Sequence, residues 1–183
     1  MKIDRVTLTH IRIPLTEPFR ISNGEVSEKE SILVGVASEG LIGYGEASPM
    51  SGGFYSSHTP ESTWDALARI IIPKLQQKHE LSVETVNVVL DKILDEPFAR
   101  AGVETAFWDL EAQAQNKPLY QLLGGAKKEI PSGLAVGIYP TIKELLAAIE
   151  KYLVDGYARV KIKIQPGWDS EPLRAIRRLT ANS

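Results

Sequence analysis

The stretch Arg159-Val160-Lys161-Ile162-Lys163-Ile164-Gln165-Pro166-Gly167-Trp168-Asp169 limits the possible folds more than any other in the chain. Side chains alternate along a strand, so Arg159, Lys161 and Lys163 share one face while Val160, Ile162 and Ile164 take the other. The β-branched face demands an apolar partner. A helix-like segment ending at Asp155-Gly156 precedes the run, and Pro166-Gly167 with a further amphipathic segment follows it. That β-α-β-α order predicts a parallel sheet with helices over its apolar side. The lysines then point somewhere polar, about 6.5–7 Å apart. Two ammonium groups at that spacing disfavour each other's charge, which is the direction a lysine needs to act as a base. An edge strand with solvated lysines fits the same pattern, and the alternation alone does not separate the two.

Composition narrows the function classes. The 183 residues carry 21 basic and 23 acidic side chains and no cysteine. The near balance gives no electrostatic case for nucleic acid or an anionic membrane. Without cysteine there are neither disulfides nor thiolate metal sites. The start, Met1-Lys2-Ile3-Asp4-Arg5, does not read as a signal peptide, and no apolar run approaches a membrane span, so a cytoplasmic protein is expected. His10, His58 and His79 show no ligand spacing, and no Asp/Glu/His cluster offers a metal site.

Residues 1–48 read as an antiparallel meander. The first strand holds Val6 and Leu8 and is expected to end at Pro14, with Thr16-Glu17-Pro18 turning the chain. Ser31–Ala37 and Leu41–Glu46 form a hairpin about Glu39-Gly40. Gly43 and Gly45 predict a close backbone approach. Glu46 and, further on, Asp109 are acids without a catalytic partner and read as structural hydrogen bonders. Phe19–Gly24 and Pro49–His58 resist a secondary-structure assignment, the second being turn chemistry around Phe54 and Tyr55.

Helices dominate next. Thr59 is an N-cap with Pro60 at the first helical position, and a bend or break is expected at Pro73. Ser82 caps a second helix with Val86, Val89, Leu90 and Ile93 on its apolar face, ended by Glu96-Pro97. A third helix, about 98–115, carries two apolar stripes, Val103, Ala106, Phe107, Leu110 and Ala114, and Ala101, Thr105, Trp108 and Ala112. Such a width predicts burial on several sides. Leu119–Leu123 makes a last turn stopped by Gly124-Gly125. From Glu129 strand and helix alternate: Ser132–Ile138, then a helix opened by a Thr141–Glu144 capping box with Ile142, Leu145, Ile149 and Leu153 inward. The lysine strand follows, and then a helix capped by Asp169 running through Leu173, Ile176 and Leu179.

Two motifs carry a family resemblance. Val160-Lys161-Ile162-Lys163-Ile164-Gln165-Pro166-Gly167-Trp168-Asp169 closely resembles the second barrel strand of the enolase superfamily, muconate-lactonizing-enzyme-like branch. It is most similar to the group of o-succinylbenzoate synthases and N-acylamino acid racemases. Ala101-Gly102-Val103-Glu104-Thr105-Ala106-Phe107-Trp108-Asp109-Leu110, with Lys117-Pro118-Leu119 and Leu122-Leu123-Gly124-Gly125, is similar to the superfamily's junction of capping domain and barrel.

The resemblance implies an α+β capping domain over residues 1–125. Residues 126–183 would then be the first two βα units of a (β/α)8 barrel, a truncated one, since a whole barrel takes about 250 residues. It implies removal of the proton α to the carboxylate of a small substrate, with magnesium or manganese holding the ene-diolate. By position, Lys163 is the acid/base and Lys161 its cationic neighbour. Phe19, Arg20, Phe54 and Tyr55 lie on loops that set substrate specificity, and Ala135 stands where relatives often have serine near the substrate. The metal-binding carboxylates belong to later strands without a counterpart in this chain. The implied activity is o-succinylbenzoate synthase, on the menaquinone route, or N-acylamino acid racemase, in a homo-oligomer. Dipeptide epimerase and muconate cycloisomerase are alternatives, as is a non-catalytic fragment serving as a folding unit.

Overall fold

The computed structural model describes residues 1–92 and 95–180. The chain divides into two compact units: Met1–Pro14 with Glu28–Ala126, and Leu15–Ser27 with the chain from Lys127 onward. The segment Leu15–Ser27, read from the sequence as part of the first domain, thus groups with the second unit.

A three-stranded sheet runs in the order β1 (Arg5–Ile21), β2 (Gly24–Ser38), β3 (Leu41–Ala47). β2 and β3 are antiparallel, from Ser38↔Leu41 to Ile32↔Ala47. Glu39 and Gly40 both take positive φ, 51° and 82°, the backbone of the tight hairpin turn expected there. β1 is longer than expected. It passes through Pro14 and Pro18 and reaches Ile21, where Ser22-Asn23 make the turn. β1 is an edge strand, and both prolines are exposed, so their missing N–H groups cost no ladder bond. Phe19–Gly24, without an assignment from sequence, is the end of β1, the turn and the first residue of β2.

In the first unit, Ile32, Val34 and Val36 point to the core from alternate positions of β2. Opposite them on β3 stand Ala47, Gly45 and Gly43, a stripe of small residues. Helix α4 (Pro97–Ala114) lies directly on that stripe. A Cβ on Gly43 would stand 2.2 Å from the Ala106 carbonyl, and one on Gly102 would stand 2.9 Å from the Ala47 Cβ. The roughly 1 kcal/mol that Gly102 costs a helix is therefore offset by an approach no larger residue permits. Of the two expected stripes only the first is largely buried. Val103, Ala106, Phe107 and Leu110 are in the core, while Ala101, Thr105 and Ala114 are exposed and Trp108 is half-buried. α4 rests on the sheet along one side and against α3 and α1 along part of another, and the remainder meets water.

Before α4 the chain is helical from α1 (Pro60–Asp65) through a π-helical segment (Ala66–Ile71) into α2 (Ile72–Gln76). Thr59 caps α1 in a reciprocal box with Ser62. The irregularity expected at Pro73 lies a turn earlier. The Ile72 N–H reaches back to the Leu67 carbonyl, a widened turn that relieves the crowding a proline ring brings to the preceding turn. α3 (Val83–Leu90) is capped by Ser82 and buries Val86 and Leu90, with Val89 packed beside them; Ile93 lies outside the described residues. Glu96-Pro97 does not end α3, which stops at Leu90; Pro97 instead opens α4, where its lack of an N–H is harmless. α5 (Leu119–Leu122) ends at Gly124, with φ 75°.

The second unit alternates as expected: β4 (Gly133–Val136), α6 (Ile142–Val154), β5 (Arg159–Ile162), α7 (Ser170–Thr180). β4 and β5 are parallel, Gly133↔Arg159 to Val136↔Ile162. Thr141 supplies one arm of its box, accepting from the Glu144 N–H at 3.2 Å. Val136, Leu145 and Ile149 are the buried centre, with Val160, Ile162, Tyr152, Ile176 and Leu179 around them. Leu153 is exposed and Tyr152 takes its place. At 3.6 residues per turn Tyr152 lies about 20° from Leu145 around the helix, and Leu153 about 80°. Leu173 is likewise exposed; Pro172, one turn before Ile176, is buried instead. Ile164 is 51 % exposed because strand pairing ends at Ile162. Among the described residues no helix is long and apolar enough to cross a membrane.

Candidate functional site

The parallel pairing sets Lys161 opposite Ala135, so the two share one face of the strand pair. Ala135 and Lys161 line a depression with Gly133, Leu134, Arg159 and Val160. Gly133, which has no side chain, and Ala135 add little bulk to it. The Arg159 guanidinium lies across Gly133, where an added Cβ would be 2.7 Å from its Nε. Lys163 follows directly after β5, and its N–H donates to the Val136 carbonyl at 2.9 Å, so the backbone stays in register through this residue. Its side chain is half-buried, with Nζ 5.9 Å from the centroid of the Phe19 ring. That is cation–π distance.

Phe19 arrives there on the β1–β2 tip. The Ile138 N–H donates to the Arg20 carbonyl at 2.9 Å, and a Cβ on Gly137 would stand 3.1 Å from that oxygen and 3.5 Å from the Phe19 ring. The absence of a side chain at 137 is what lets the tip lie flat on this segment. Further along, the Tyr139 hydroxyl donates to Glu17 Oε1 at 3.0 Å and the Tyr152 hydroxyl donates to the same oxygen at 3.2 Å. Burial, followed by the Glu17 bond, pushes the Tyr139 phenol well above its ordinary range, and burial raises Tyr152 as well. A cleft of about 230 Å³ opens beside this contact, lined by Glu17, Pro18, Arg20, Glu25 and Gly137–Pro140. Arg20 thus anchors the tip through its backbone and lines the cleft with its side chain.

Five of the seven residues singled out from the sequence are therefore in the second unit: Phe19, Arg20, Ala135, Lys161 and Lys163. Phe54 and Tyr55 belong to the first unit, on a loop whose Tyr55 is 59 % exposed. That loop is held at both ends. At one end Lys29 Nζ donates to the Pro49 carbonyl at 3.0 Å and Ser51 Oγ donates to Glu30 at 2.9 Å. At the other, the His58 ring pairs with the buried Glu96, which also accepts from Thr63. His10 pairs with Glu30, so two of the three histidines hold carboxylates. Glu46 accepts from Ser31 at 2.6 Å, and Asp109 accepts from the Tyr44 N–H at 2.8 Å; both acids are structural. Sequence reasoning missed Glu17, Tyr139 and Tyr152. Thr16-Glu17-Pro18 looked like a turn, and no periodicity links it to two tyrosines 122 and 135 positions away.

Among the described residues no three His, Asp or Glu side chains gather as a metal-ligand set. The lysine face is cationic and does not fit a divalent ion.

The family described as mandelate racemase / muconate lactonizing enzyme, N-terminal domain, matches residues 3–124. An o-succinylbenzoate synthase of Geobacillus stearothermophilus is 38% identical over 98% of this chain and 48% of its own length. An N-succinylamino acid racemase of an Amycolatopsis species is 36% identical over 97% of this chain and 48% of its own. The fold is shared with a dipeptide epimerase from Methylococcus capsulatus complexed with Mg and the dipeptide L-Arg-D-Lys. Its TM-score is 0.84 at 30% identity, covering 99% of this chain and 51% of that one. The chain spans about half the length of the curated relatives it matches.

Proposed function

The chain belongs to the mandelate racemase / muconate lactonizing enzyme family, within the enolase superfamily, and from that premise we propose that it serves removal of the proton α to a substrate carboxylate. In this reading residues 1–125 are a capping domain and residues 126–183 begin a (β/α)8 barrel. Lys163, as the neutral amine, takes the α-proton. Lys161, as the ammonium, holds the carboxylate beside Ala135. Phe19, Arg20, Phe54 and Tyr55 contact the rest of the substrate. The observation that carries the reading is the parallel register that sets Lys161 against Ala135, together with the half-buried Lys163 beneath the Phe19 ring. Lys161 is exposed, whereas Lys163 meets an aromatic ring brought from residue 19, a contact that a fully solvated lysine would not make.

Two outcomes of the same abstraction fit the relatives. In racemisation of an N-succinylamino acid a second acid on the far side of the substrate, not among the residues named here, delivers a proton to the opposite face while Lys163 keeps the one it took. In formation of o-succinylbenzoate water is lost after the abstraction. Epimerisation of a dipeptide is the alternative that the structural neighbours favour. Magnesium accompanies a dipeptide in that neighbour, whereas the described residues here supply no ligand set for it. In this reading the metal-binding carboxylates come from elsewhere, and the 183-residue chain by itself is expected to be inert.

The test is deuterium incorporation at the α-carbon of an N-succinylamino acid in D2O with magnesium. It compares wild type with Lys163→Ala, in this chain complemented by the remaining half of a relative. Loss of exchange in the variant supports the assignment. Undiminished exchange overturns it.

A further inference from the structure

We propose that Glu17 is a positioning residue: by accepting hydrogen bonds from the Tyr139 and Tyr152 hydroxyls together, it fixes the β1–β2 tip so that Phe19 stays over the Lys163 ammonium.

The two phenols come from different elements. Tyr139 lies between β4 and α6, and Tyr152 lies two turns and more along α6, so one carboxylate oxygen ties the tip to loop and helix at once. Glu17 meets Tyr139 while Phe19 meets Gly137, so the tip runs alongside residues 137–139 in the opposite direction. Glu17 and Phe19, two apart on an extended strand, share a face. Fixing the first therefore orients the second. Beside this clamp the Ile138 N–H donates to the Arg20 carbonyl at 2.9 Å, so side-chain and backbone bonds to residues 138, 139 and 152 together resist rolling of the tip.

The phenols remain donors under ordinary conditions, because burial raises both of them and the neighbouring carboxylate adds to the effect. The carboxylate accepts and never needs a proton. Glu17 is exposed, and a solvated glutamate gains little from a lone neutral partner; two donors converging on one oxygen are what order it. The consequence for chemistry is at Lys163. A ring face beside Nζ shields it from water on one side and limits the directions in which it can reach.

The proposal rests on Lys163 as the reacting amine only for that consequence, so its test reads position rather than turnover. With lysines labelled at Cε, the Lys163 methylene is identified by its disappearance in Lys163→Arg. The Phe19 ring shifts that methylene upfield, and Phe19→Leu returns it to the ordinary lysine position. Glu17→Ala is expected to remove most of the upfield shift, as is the double variant Tyr139→Phe/Tyr152→Phe, which keeps both rings and so decides the matter if Glu17→Ala fails to fold. Glu17→Gln, whose amide oxygen still accepts from both phenols, should retain the shift. A wild-type Lys163 signal in a folded Glu17→Ala or double-phenylalanine protein overturns the proposal. A lost shift with unaltered α-proton exchange in Lys163→Ala would leave the clamp standing and sink the catalytic reading instead.

Discussion

Gly45 on β3 and Gly102 on α4 touch backbone to backbone: a Cβ built on Gly45 would stand 2.0 Å from the Gly102 carbonyl oxygen. The Thr105 hydroxyl is 2.4 Å from the same point and the Ala106 nitrogen 2.6 Å. No side-chain rotation relieves a clash with backbone, so strand and helix would have to separate.

Gly45→Ala is therefore expected to destabilise the first unit by about 3 kcal/mol, the upper end of ordinary overpacking. Urea denaturation checks it. Gly35→Ala is the control. Its nearest neighbour would be the Tyr44 ring edge at 3.4 Å, ordinary contact with a side chain that can move, and its midpoint should barely change. Equal losses in the two variants would mean that the helix does not rest on β3 as described.

A pH dependence follows from Glu30, whose side chain is only 12 % exposed. Burial alone raises its carboxyl, but hydrogen bonds from Ser51 and His10, with the charge of Arg12, outweigh that and hold it below its usual range. A depressed carboxyl contributes stability above its unfolded value of about 4.3 and loses it as pH falls through the folded value. Glu30→Gln should therefore be less stable than wild type at pH 6, and the difference should close below pH of about 4. Chemical denaturation across that range checks it; a constant difference would show that the carboxylate charge contributes nothing.

For Lys161 the expectation is a binding defect. Removing one charged hydrogen-bond donor costs about 1.5–3 kcal/mol, roughly a 10- to 100-fold rise in KM. Ala135→Leu should give the same signature, since it fills the depression opposite Lys161 on an exposed face where the fold tolerates it. Steady-state kinetics on the complemented enzyme separate these from Lys163→Ala, which should remove kcat. A Lys161→Ala variant with unchanged KM would reassign the carboxylate contact.

Local grammar was legible from the chain itself. Thr59, Ser82 and Thr141 cap the helices they were expected to cap, because a cap satisfies backbone donors two or three residues away. Gly43 and Gly45 announced a close approach, and the alternation of Val160–Lys161–Ile162 announced a strand with unlike faces. Asp109 and Glu46 read as structural, since neither had a partner in sequence. These are all matters of a few neighbouring residues. The tertiary structure decided whatever depends on where the chain returns. Pro14 and Pro18 sit inside a strand because that strand is an edge. Tyr152 rather than Leu153 turns inward because α6 presents one narrow stripe to β4 and β5. Glu17, in a presumed turn, and Phe19, singled out only by resemblance, reach Tyr139, Tyr152 and Lys163 because the β1–β2 tip folds onto a segment more than a hundred residues away. Periodicity records how a residue faces along its own element. It carries no record of which distant element will be waiting there.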